Sequence, residues 1–362
     1  MFDRVVKISV LSAPMQALIL RKAATEVTVR PQMNVLIVSP FGSGKTTMLQ
    51  DIEHLGLGIQ IRDYTKAGLL FTISHGRLIK GSVFKGARKC ILIDEFSRIS
   101  PHLRDLLLDL LEEQTSQRSL GKEMFQYTEE GEGYKIEVDG TWCKIKVQAS
   151  WIITTMSFKK KRYEDIALIS RCFPIYMQFD EDDAFDLIRG RYRIDFSNVK
   201  QHISDTKGAI VEVKEEHAEI VISAMKNTIK LRKVPSGYIT RMFWDTLRIA
   251  GVYSCIDGTY ETTKEHVLEA CRFIPAQATG FSSVSLRRSE SIILSLIARH
   301  KMLSTREILE LTSLSGDTIK RALARLRELN LIEPVFVGST RYYRIRGDFF
   351  YGEDNNDYSA MF

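Results

Sequence analysis

A glycine-rich segment, SPFGSGKT at residues 39–46, follows a short apolar run and precedes a segment with helical spacing. The backbone N–H groups of such a loop and the start of the helix can surround phosphate oxygens, and its glycines let the backbone approach them. Lys45 would pair with the β- and γ-phosphates, and the Thr46 hydroxyl would ligate Mg²⁺. Serine occupies the place of the usual first glycine. The candidate phosphate-binding residues are Ser39, Pro40, Phe41, Gly42, Ser43, Gly44, Lys45, Thr46 and Thr47.

An acidic pair closes an apolar run fifty residues after Lys45, in the segment ILIDE at residues 91–95. At the end of a strand, Asp94 would hold Mg²⁺ through water, and Glu95 would polarise the water that attacks the γ-phosphate. Each motif alone has a simpler explanation, a surface glycine turn or a solvated Asp-Glu turn. Together, in this order, they predict binding and hydrolysis of ATP with Mg²⁺ as cofactor.

Three apolar runs are typical of buried parallel strands, and segments with helical spacing lie between them. Strand, loop, helix and strand recur as in an α/β nucleotide-binding unit. From residue 180 the pattern becomes mainly helical, which predicts a smaller lid domain, and the small polar residues 276–285 predict a linker. We expect strands at Val35–Val38, Cys90–Ile93 and 151–155, and helices at 13–24, 47–54 and 103–113.

The composition sets the class of protein. The 362 residues carry a formal net charge of +6, and 44% of them are hydrophobic, enough for two or three packed units. The five cysteines lie far apart without a C-x-x-C pair, which argues against a zinc site and a disulfide framework. No apolar stretch approaches the roughly 18 residues of a membrane span. We expect a cytoplasmic protein with no membrane partner.

Residues 134–147, YKIEVDGTWCKIKV, alternate around a central Asp-Gly and predict a β-hairpin. A two-residue turn there would pair Val138 with Thr141 and set Lys135 opposite Lys144, a like-charge pair that a nearby phosphate would stabilise. A tryptophan on the same face could stack on a base of single-stranded DNA. The alternative is a solvated sheet face. The candidate DNA contacts are Lys135, Trp142, Lys144 and Lys146.

The pattern of residues 287–346 predicts a winged helix. Helices are expected at 289–299, Thr305–Leu311 and 315–329, followed by a wing hairpin at 335–345. Residues 287–346 contain twelve Lys and Arg against six Asp and Glu, so this unit alone equals the excess charge of the chain. The third helix would enter a DNA groove and the wing would touch the backbone, although winged helices also dock proteins. The candidate duplex contacts are Lys320, Arg321, Arg325, Arg341 and Arg344.

The order of these segments resembles the AAA+ ATPases and, within them, the minichromosome maintenance (MCM) replicative helicases, over residues 14–253. Residues 33–49 (MNVLIVSPFGSGKTTML) look like the strand and phosphate loop of that family, and residues 86–96 (GARKCILIDEF) look like the segment that contains its acidic strand. Shorter matches are AGL at 67–69, LLDLLEEQTSQ at 107–117, ALISRCF at 167–173 and RMFWDTLRIA at 241–250.

The resemblance implies further roles. Arg171 would be the arginine finger that reaches the γ-phosphate bound by a neighbouring subunit, and Arg241 would be the second-sensor arginine. Thr155 would be the first sensor, where MCM proteins usually have asparagine. Lys122 is similar to the DNA-contacting lysine of the MCM hairpin. A finger that acts in trans implies a ring of identical chains, a hexamer, with replication proteins as partners.

The resemblance also implies an architecture: an AAA+ P-loop core with a parallel sheet and hairpin insert at residues 1–180, a helical lid at 181–280 and a winged-helix domain at 286–350. The N-terminal DNA-binding, zinc-bearing region of MCM proteins has no counterpart in the sequence, which weakens the expectation of processive unwinding. The expected catalytic residues are Lys45, Glu95, Thr155, Arg171 and Arg241.

Three functions remain open at this point. The first is a ring-forming ATP-dependent helicase or translocase that acts in DNA replication. The second is an ATP-switched DNA-binding assembly factor, such as a replication initiator, transposition helper or transcription regulator, that separates no strands. The third is a core that only binds nucleotide and regulates a partner, which Glu95 and Arg171 argue against.

Overall fold

The computed structural model describes residues 2–22, 25–39, 42–74, 77–113, 115–119, 126–139, 142–156, 163–176, 194–232, 234–284, 286, 288–329 and 331–345. These residues form an α/β structure. The helices are α1 Phe2–Ser12, α2 Lys45–His54, α3 Lys66–Leu69, α4 Ser82–Lys85, α5 Pro101–Glu113, α6 Tyr163–Ser170, α7 Ser197–Thr206, α8 Glu215–Arg232, α9 Ser236–Ile256, α10 Lys264–Cys271, α11 Ile274–Val284, α12 Arg288–His300, α13 Thr305–Leu311 and α14 Gly316–Glu328. The strands are β1 Ala17–Lys22, β2 Thr25–Val29, β3 Val35–Val38, β4 Gly58–Ile61, β5 Phe71–Ser74, β6 Arg77–Lys80, β7 Cys90–Ile93, β8 Thr115–Ser119, β9 Tyr127–Gly131, β10 Tyr134–Asp139, β11 Trp142–Val147, β12 Ser150–Thr155, β13 Phe173–Tyr176, β14 Ile210–Lys214, β15 Met302–Ser304, β16 Ile332–Val337 and β17 Thr340–Ile345.

Five parallel strands form the central sheet, in the order β13-β3-β12-β7-β4. Every residue of β3, β7 and β12 is buried, as expected for strands that are covered on both faces. The three strands predicted from apolar runs are confirmed, with β12 starting one residue earlier than predicted. Because the strands are parallel, the carboxyl ends of β3, β7 and β12 meet at one edge of the sheet.

The segment at residues 13–24 is not the predicted helix. Its central part is strand β1, which pairs with β2 on one side and with β14 on the other. Leu18 and Leu20 are buried on one face of this strand. The helical interpretation was wrong because a short apolar run suits either structure, and the deciding partner, β14, lies almost 200 residues away in the sequence.

The predicted hairpin exists as β10 and β11, but its register differs from the prediction. Val138 lies opposite Cys143, not Thr141, so Lys135 faces Lys146 and Glu137 faces Lys144. Asp139 pairs with Trp142 and belongs to β10, not to a turn, and residues 140 and 141 lie outside the described residues. The shift moves cross-strand partners by two positions, so each side chain keeps its predicted face. β9 and β8 extend this hairpin to a four-stranded antiparallel sheet.

Residues 276–285 are not a linker, because most of them belong to helix α11. Ala278 and Phe281 are buried, and a Cβ at Gly280 would lie 2.0 Å from the Pro174 carbonyl oxygen. The small residues that predicted a flexible connection instead allow α11 to pack closely against β13. α11 thereby belongs to the main hydrophobic core, which includes residues between Val5 and Phe281.

Residues from 288 onward have a second hydrophobic core. α12, α13 and α14 match the three predicted helices to within one residue at each end. β15, β17 and β16 form an antiparallel sheet, and β16 and β17 make the predicted hairpin, although β16 begins three residues earlier. The domain boundaries at 180, 280 and 286 stay a prediction. Among the helices in the described ranges, none has both the length and the apolar character that crossing a membrane requires.

Candidate phosphate-binding and hydrolysis site

The loop between β3 and α2 is built around two glycines in the left-handed region. Gly42 has a φ of 76° and Gly44 a φ of 74°, which glycine adopts without the strain that a side chain would add. Helix α2 begins at Lys45, so the unpaired N–H groups of its first turn, which includes Thr46 and Thr47, adjoin the loop. This is the local geometry of an anion site. Pro40 and Phe41 lie outside the described residues.

The Lys45 ammonium is held by oxygens of its own loop. Its Nζ donates to the Ser39 carbonyl oxygen at 2.6 Å and to Ser39 Oγ at 3.0 Å, and Ser39 Oγ lies 2.5 Å from Ser43 Oγ. Serine in place of the first glycine thus supplies a hydroxyl partner for the lysine. Burial lowers the pKa of Lys45, and the nearby Glu95 and Asp94 carboxylates oppose that shift.

Asp94 connects the end of β7 to the start of α2. Thr46 Oγ1 donates to Asp94 Oδ2 at 2.9 Å, and Thr154 Oγ1 donates to Asp94 Oδ1 at 3.1 Å. The Tyr64 hydroxyl donates to the Asp94 carbonyl oxygen at 3.0 Å. The structure therefore brings together the two residues predicted as Mg²⁺ ligands, Thr46 and Asp94. Sequence analysis missed Thr154 and Tyr64, although two consecutive threonines at a strand end were a signal for the first.

Glu95 is buried, with only 8% of its surface exposed. Its carboxylate Oε1 accepts from Thr155 Oγ1 at 3.1 Å and from Ser97 Oγ at 2.6 Å, and its backbone N–H donates to Thr154 Oγ1 at 3.1 Å. Its φ of 66° is unusual for a residue with a side chain, and such strain concentrates at functional sites. The predicted first sensor, Thr155, thus contacts the predicted catalytic carboxylate. Ser97 had not been predicted.

These residues fit a magnesium-bound triphosphate. Mg²⁺ takes hard oxygen ligands, commonly one or two from the protein with phosphate and water oxygens completing the set. The Thr46 hydroxyl and the Asp94 carboxylate are such ligands, and they lie at the same sheet edge as the glycine loop. A third group, the Glu95 carboxylate, is fixed beside them and could take up a proton from water. The arrangement can therefore hold a triphosphate and activate a water molecule.

No protein-family model matches this sequence. A comparison with curated proteins finds no match either. The candidate function therefore depends on the residues themselves and on their geometry.

Arg171 lies where the strands of the central sheet begin, at the amino-terminal edge, whereas the phosphate loop lies where they end. Arg171 precedes β13, and its carbonyl oxygen accepts from Asn34 Nδ2, the residue before β3, at 3.2 Å. A four-residue strand spans about 13 Å, so this amino-terminal edge is well separated from the loop that contains Lys45. Arg171 forms an ion pair with Glu112, and its Nη1 donates to the Ala167 carbonyl oxygen at 2.9 Å. The side chain is therefore placed away from the phosphate loop of its own chain.

Arg241 belongs to a buried cluster around one carboxylate. Asp245 is fully buried and accepts from Arg241 Nε at 3.0 Å, from Arg248 Nη1 at 2.7 Å and from Gln277 Nε2 at 2.7 Å. Arg248 Nε also donates to the carbonyl oxygen of Arg30 at 3.0 Å. We call Arg30, Arg241 and Arg248 with Asp245 the arginine cluster.

The arginine cluster adjoins the amino-terminal edge of the sheet. Cys172 directly precedes β13, and Arg30 directly follows β2, five residues before β3. The charges of Arg30, Arg171, Arg241 and Asp245 all act on the Cys172 thiol. The structure thus brings the two predicted phosphate-sensing arginines, Arg171 and Arg241, to the same edge. Within the cluster, only three residues of α9 could be assigned to one helix face from their spacing, because Asp245 lies four residues after Arg241 and Arg248 three residues after Asp245.

Among the described residues, the hairpin face contains one ion pair, and two of its lysines make none. Lys135 Nζ lies 2.5 Å from Glu137 Oε1, so this lysine is partly neutralised. Lys144 and Lys146 are exposed and make no ion pair with another described residue, and Trp142 is 61% exposed. Within the described part of this face, the lysines without an ion pair therefore lie on β11. Lys122 lies outside the described residues.

The candidate duplex contacts are exposed on α14 and on the β16–β17 hairpin. Arg325 pairs with Glu328 at 3.0 Å and Arg344 pairs with Glu333 at 2.7 Å, so neither is a free cation. The Arg341 guanidinium lies 5.2 Å from the ring centroid of Phe336, an aromatic residue that was not predicted as a contact and is 62% exposed. Lys320 and Arg321 lie exposed on α14.

Proposed function

We propose that this chain is an ATPase that assembles into a ring and moves along or unwinds DNA, in the manner of the MCM-type AAA+ helicases that its sequence resembles. The observation that carries the proposal is the convergence of Lys45, Thr46, Asp94 and Glu95 at one sheet edge, with Arg171 at the other. A phosphate loop and a finger so far apart in one chain can share a nucleotide only if a neighbouring copy supplies one of them. This separation supports a site formed between subunits.

Each residue has a defined task in this proposal. When bound, ATP would supply the scissile γ-phosphate, and Mg²⁺ would supply positive charge that stabilises the phosphate oxygens. Lys45 neutralises phosphate oxygens, and the Glu95 carboxylate accepts the proton of the attacking water. Hydrogen bonds from Thr155 and Ser97 hold that carboxylate in place, and the strained backbone of Glu95 fixes its direction. The finger, Arg171, adds positive charge in the transition state from the neighbouring subunit.

The DNA side of the proposal depends on two basic surfaces. Lys144 and Lys146 on β11, with Trp142 beside them, form a surface suited to a single strand that passes through the ring. The C-terminal unit, with three helices and a hairpin, supports the interpretation as a winged helix that holds duplex DNA. ATP turnover would move the first surface along a strand while the second surface retains the complex on DNA.

The test is an ATPase assay with and without DNA, combined with strand displacement on a forked duplex. We expect DNA-stimulated turnover and displacement, and neither for Lys45→Ala, because that variant loses the ammonium that neutralises the phosphates. Turnover without displacement would favour the ATP-switched assembly factor. Absence of turnover in the unmodified chain, under conditions where it binds ATP, would exclude both.

Replacing Lys144 and Lys146 together by Gln is expected to weaken single-stranded DNA binding without changing turnover in the absence of DNA. Affinity for single-stranded DNA falls as salt rises, and each lysine that contacts a phosphate steepens the plot of log affinity against log salt concentration by about 0.7. Loss of both lysines should therefore make this plot less steep by about 1.4. Fluorescence anisotropy at several salt concentrations measures it. The control, Lys200→Gln with Lys264→Gln, removes the same charge from other exposed positions. Equal slopes in both double variants would contradict the assignment.

A further inference from the structure

We propose that Arg30 and Arg241 form a binding site for a phosphoryl oxyanion, just below the surface at the amino-terminal edge of the central sheet. Of these two residues, only Arg241 has a role predicted from the sequence, that of the second sensor. Arg30 directly follows β2 and had no assigned role. The part of the proposal that identifies the source of the oxyanion depends on the proposed function, whereas the existence of the site does not.

The first observation is a set of buried donors that the protein leaves unpaired. Arg30 Nη1, Arg30 Nη2 and Arg241 Nη2 are all buried, and within the described chain none of them has a hydrogen-bond acceptor. Buried polar groups are almost always hydrogen-bonded, and an unpaired charged donor is especially costly. Three such donors on these two guanidiniums indicate that an acceptor other than the described residues completes the cluster.

The second observation is the charge balance of the cluster. Arg241 and Arg248 share one carboxylate, Asp245, and the charges of all three act on Arg30. Among the described residues, the three guanidiniums of the cluster therefore have one carboxylate between them, which leaves two positive charges in excess. The Cys172 thiol cannot neutralise them, because burial raises its pKa to about 12. Burial, followed by repulsion from Arg248 and Arg241, lowers the pKa of Arg30, which is the direction expected for a cation without its counter-ion.

The form of the donors favours a phosphoryl group. A guanidinium presents its N–H groups as a planar fork that binds two oxygens of one phosphate or carboxylate. Two excess positive charges match a phosphate dianion, whereas a single carboxylate would leave one charge unpaired. Arg30 and Arg241 are each only partly buried as whole residues, so rotation of their long side chains can admit a ligand from the surface.

Two sources could supply this chemistry, free phosphate or the phosphoryl groups of ATP bound to a neighbouring copy. Arg171, at the same sheet edge, also has a buried unpaired donor, its Nε. If the neighbour's nucleotide is the source, Arg30 would act with Arg171 and Arg241 on the same triphosphate. Each neighbouring copy would then contribute three cationic groups to the nucleotide site.

The site is tested with inorganic phosphate in a Lys45→Ala background, which weakens phosphate binding at the glycine loop. Phosphate at about 20 times its dissociation constant should raise the Tm by about 3 °C, and adding Arg30→Met should abolish this rise. Methionine keeps much of the side-chain volume and removes a buried unpaired charge, so the variant should fold. The control adds Arg4→Gln, which removes another partly buried arginine, one that pairs with Glu269. An equal rise with and without Arg30 would overturn the proposal.

Mixing two impaired variants identifies the source of the oxyanion. Arg30→Met should lower ATP turnover at least tenfold, because it loses charge-assisted hydrogen bonds to phosphate. When Arg30→Met and Lys45→Ala chains are mixed equally, about one quarter of the subunit interfaces regain both residues, and turnover should recover in proportion. Recovery assigns the site to the neighbour's nucleotide, and a phosphate-dependent Tm rise without recovery assigns it to free phosphate. Absence of turnover in the unmodified chain would refute the proposed function but leave the phosphate measurement valid.

Discussion

The Glu95→Gln variant is expected to bind ATP as tightly as the unmodified chain and to hydrolyse it about 1000 times more slowly, the usual loss when a positioned general base is removed. The amide oxygen of Gln can still accept the hydrogen bonds from Thr155 and Ser97, so the side chain should keep its position. What it loses is the negative charge that takes up the proton of the attacking water. ATP should therefore remain bound and unhydrolysed.

Single-turnover hydrolysis and retention of labelled ATP measure this effect, and an unchanged Tm would show that the fold is intact. Glu53→Gln is the matched control, because Glu53 pairs with the exposed Arg62 at 2.5 Å and lies near the far end of α2. That variant should hydrolyse ATP at the unmodified rate. Hydrolysis by Glu95→Gln at the unmodified rate would show that Glu95 is not the base.

Those parts of the fold that depend on local sequence were predictable. The strands β3 and β7 are short apolar runs, and the glycine loop and the acidic pair follow them directly in the chain. Parallel strands bring their carboxyl ends to one edge, so the proximity of Thr46 to Asp94 followed from strand assignment alone. The helices of the C-terminal unit were predictable for a similar reason, since their apolar spacing and caps are local signals.

Features that depend on partners distant in the sequence were not predictable. β1 is a strand because β14 pairs with it, and the interpretation of its apolar run as a helix was reasonable until that partner was known. The predicted hairpin register was wrong because Asp139 was assigned to the turn, whereas it pairs with Trp142, and packing of the whole sheet decides which residues pair. Arg30 lies more than 200 residues from Asp245, and no spacing rule connects two such positions.

Asp245→Ala is expected to lower the free energy of unfolding by about 3 to 5 kcal/mol, the usual cost of leaving a buried charge without its partner. Asp245 is fully buried and is the only carboxylate among the described residues that is bonded to both Arg241 and Arg248. Removing it would leave buried guanidiniums without compensation and would also free the amide of Gln277. Urea unfolding followed by circular dichroism measures the change.

The partners of Asp245 allow this cost to be separated from loss of packing. Arg248→Met combined with Asp245→Ala removes one of the two guanidiniums that Asp245→Ala leaves without a partner, and it returns the net charge of the arginine cluster to that of the unmodified chain. The double variant should therefore be more stable than Asp245→Ala alone. Glu310→Ala is the contrasting control, since its ion pair with Arg306 is exposed and should contribute little. If the double variant were as unstable as the single one, the uncompensated charge of Arg248 would not be the source of the instability.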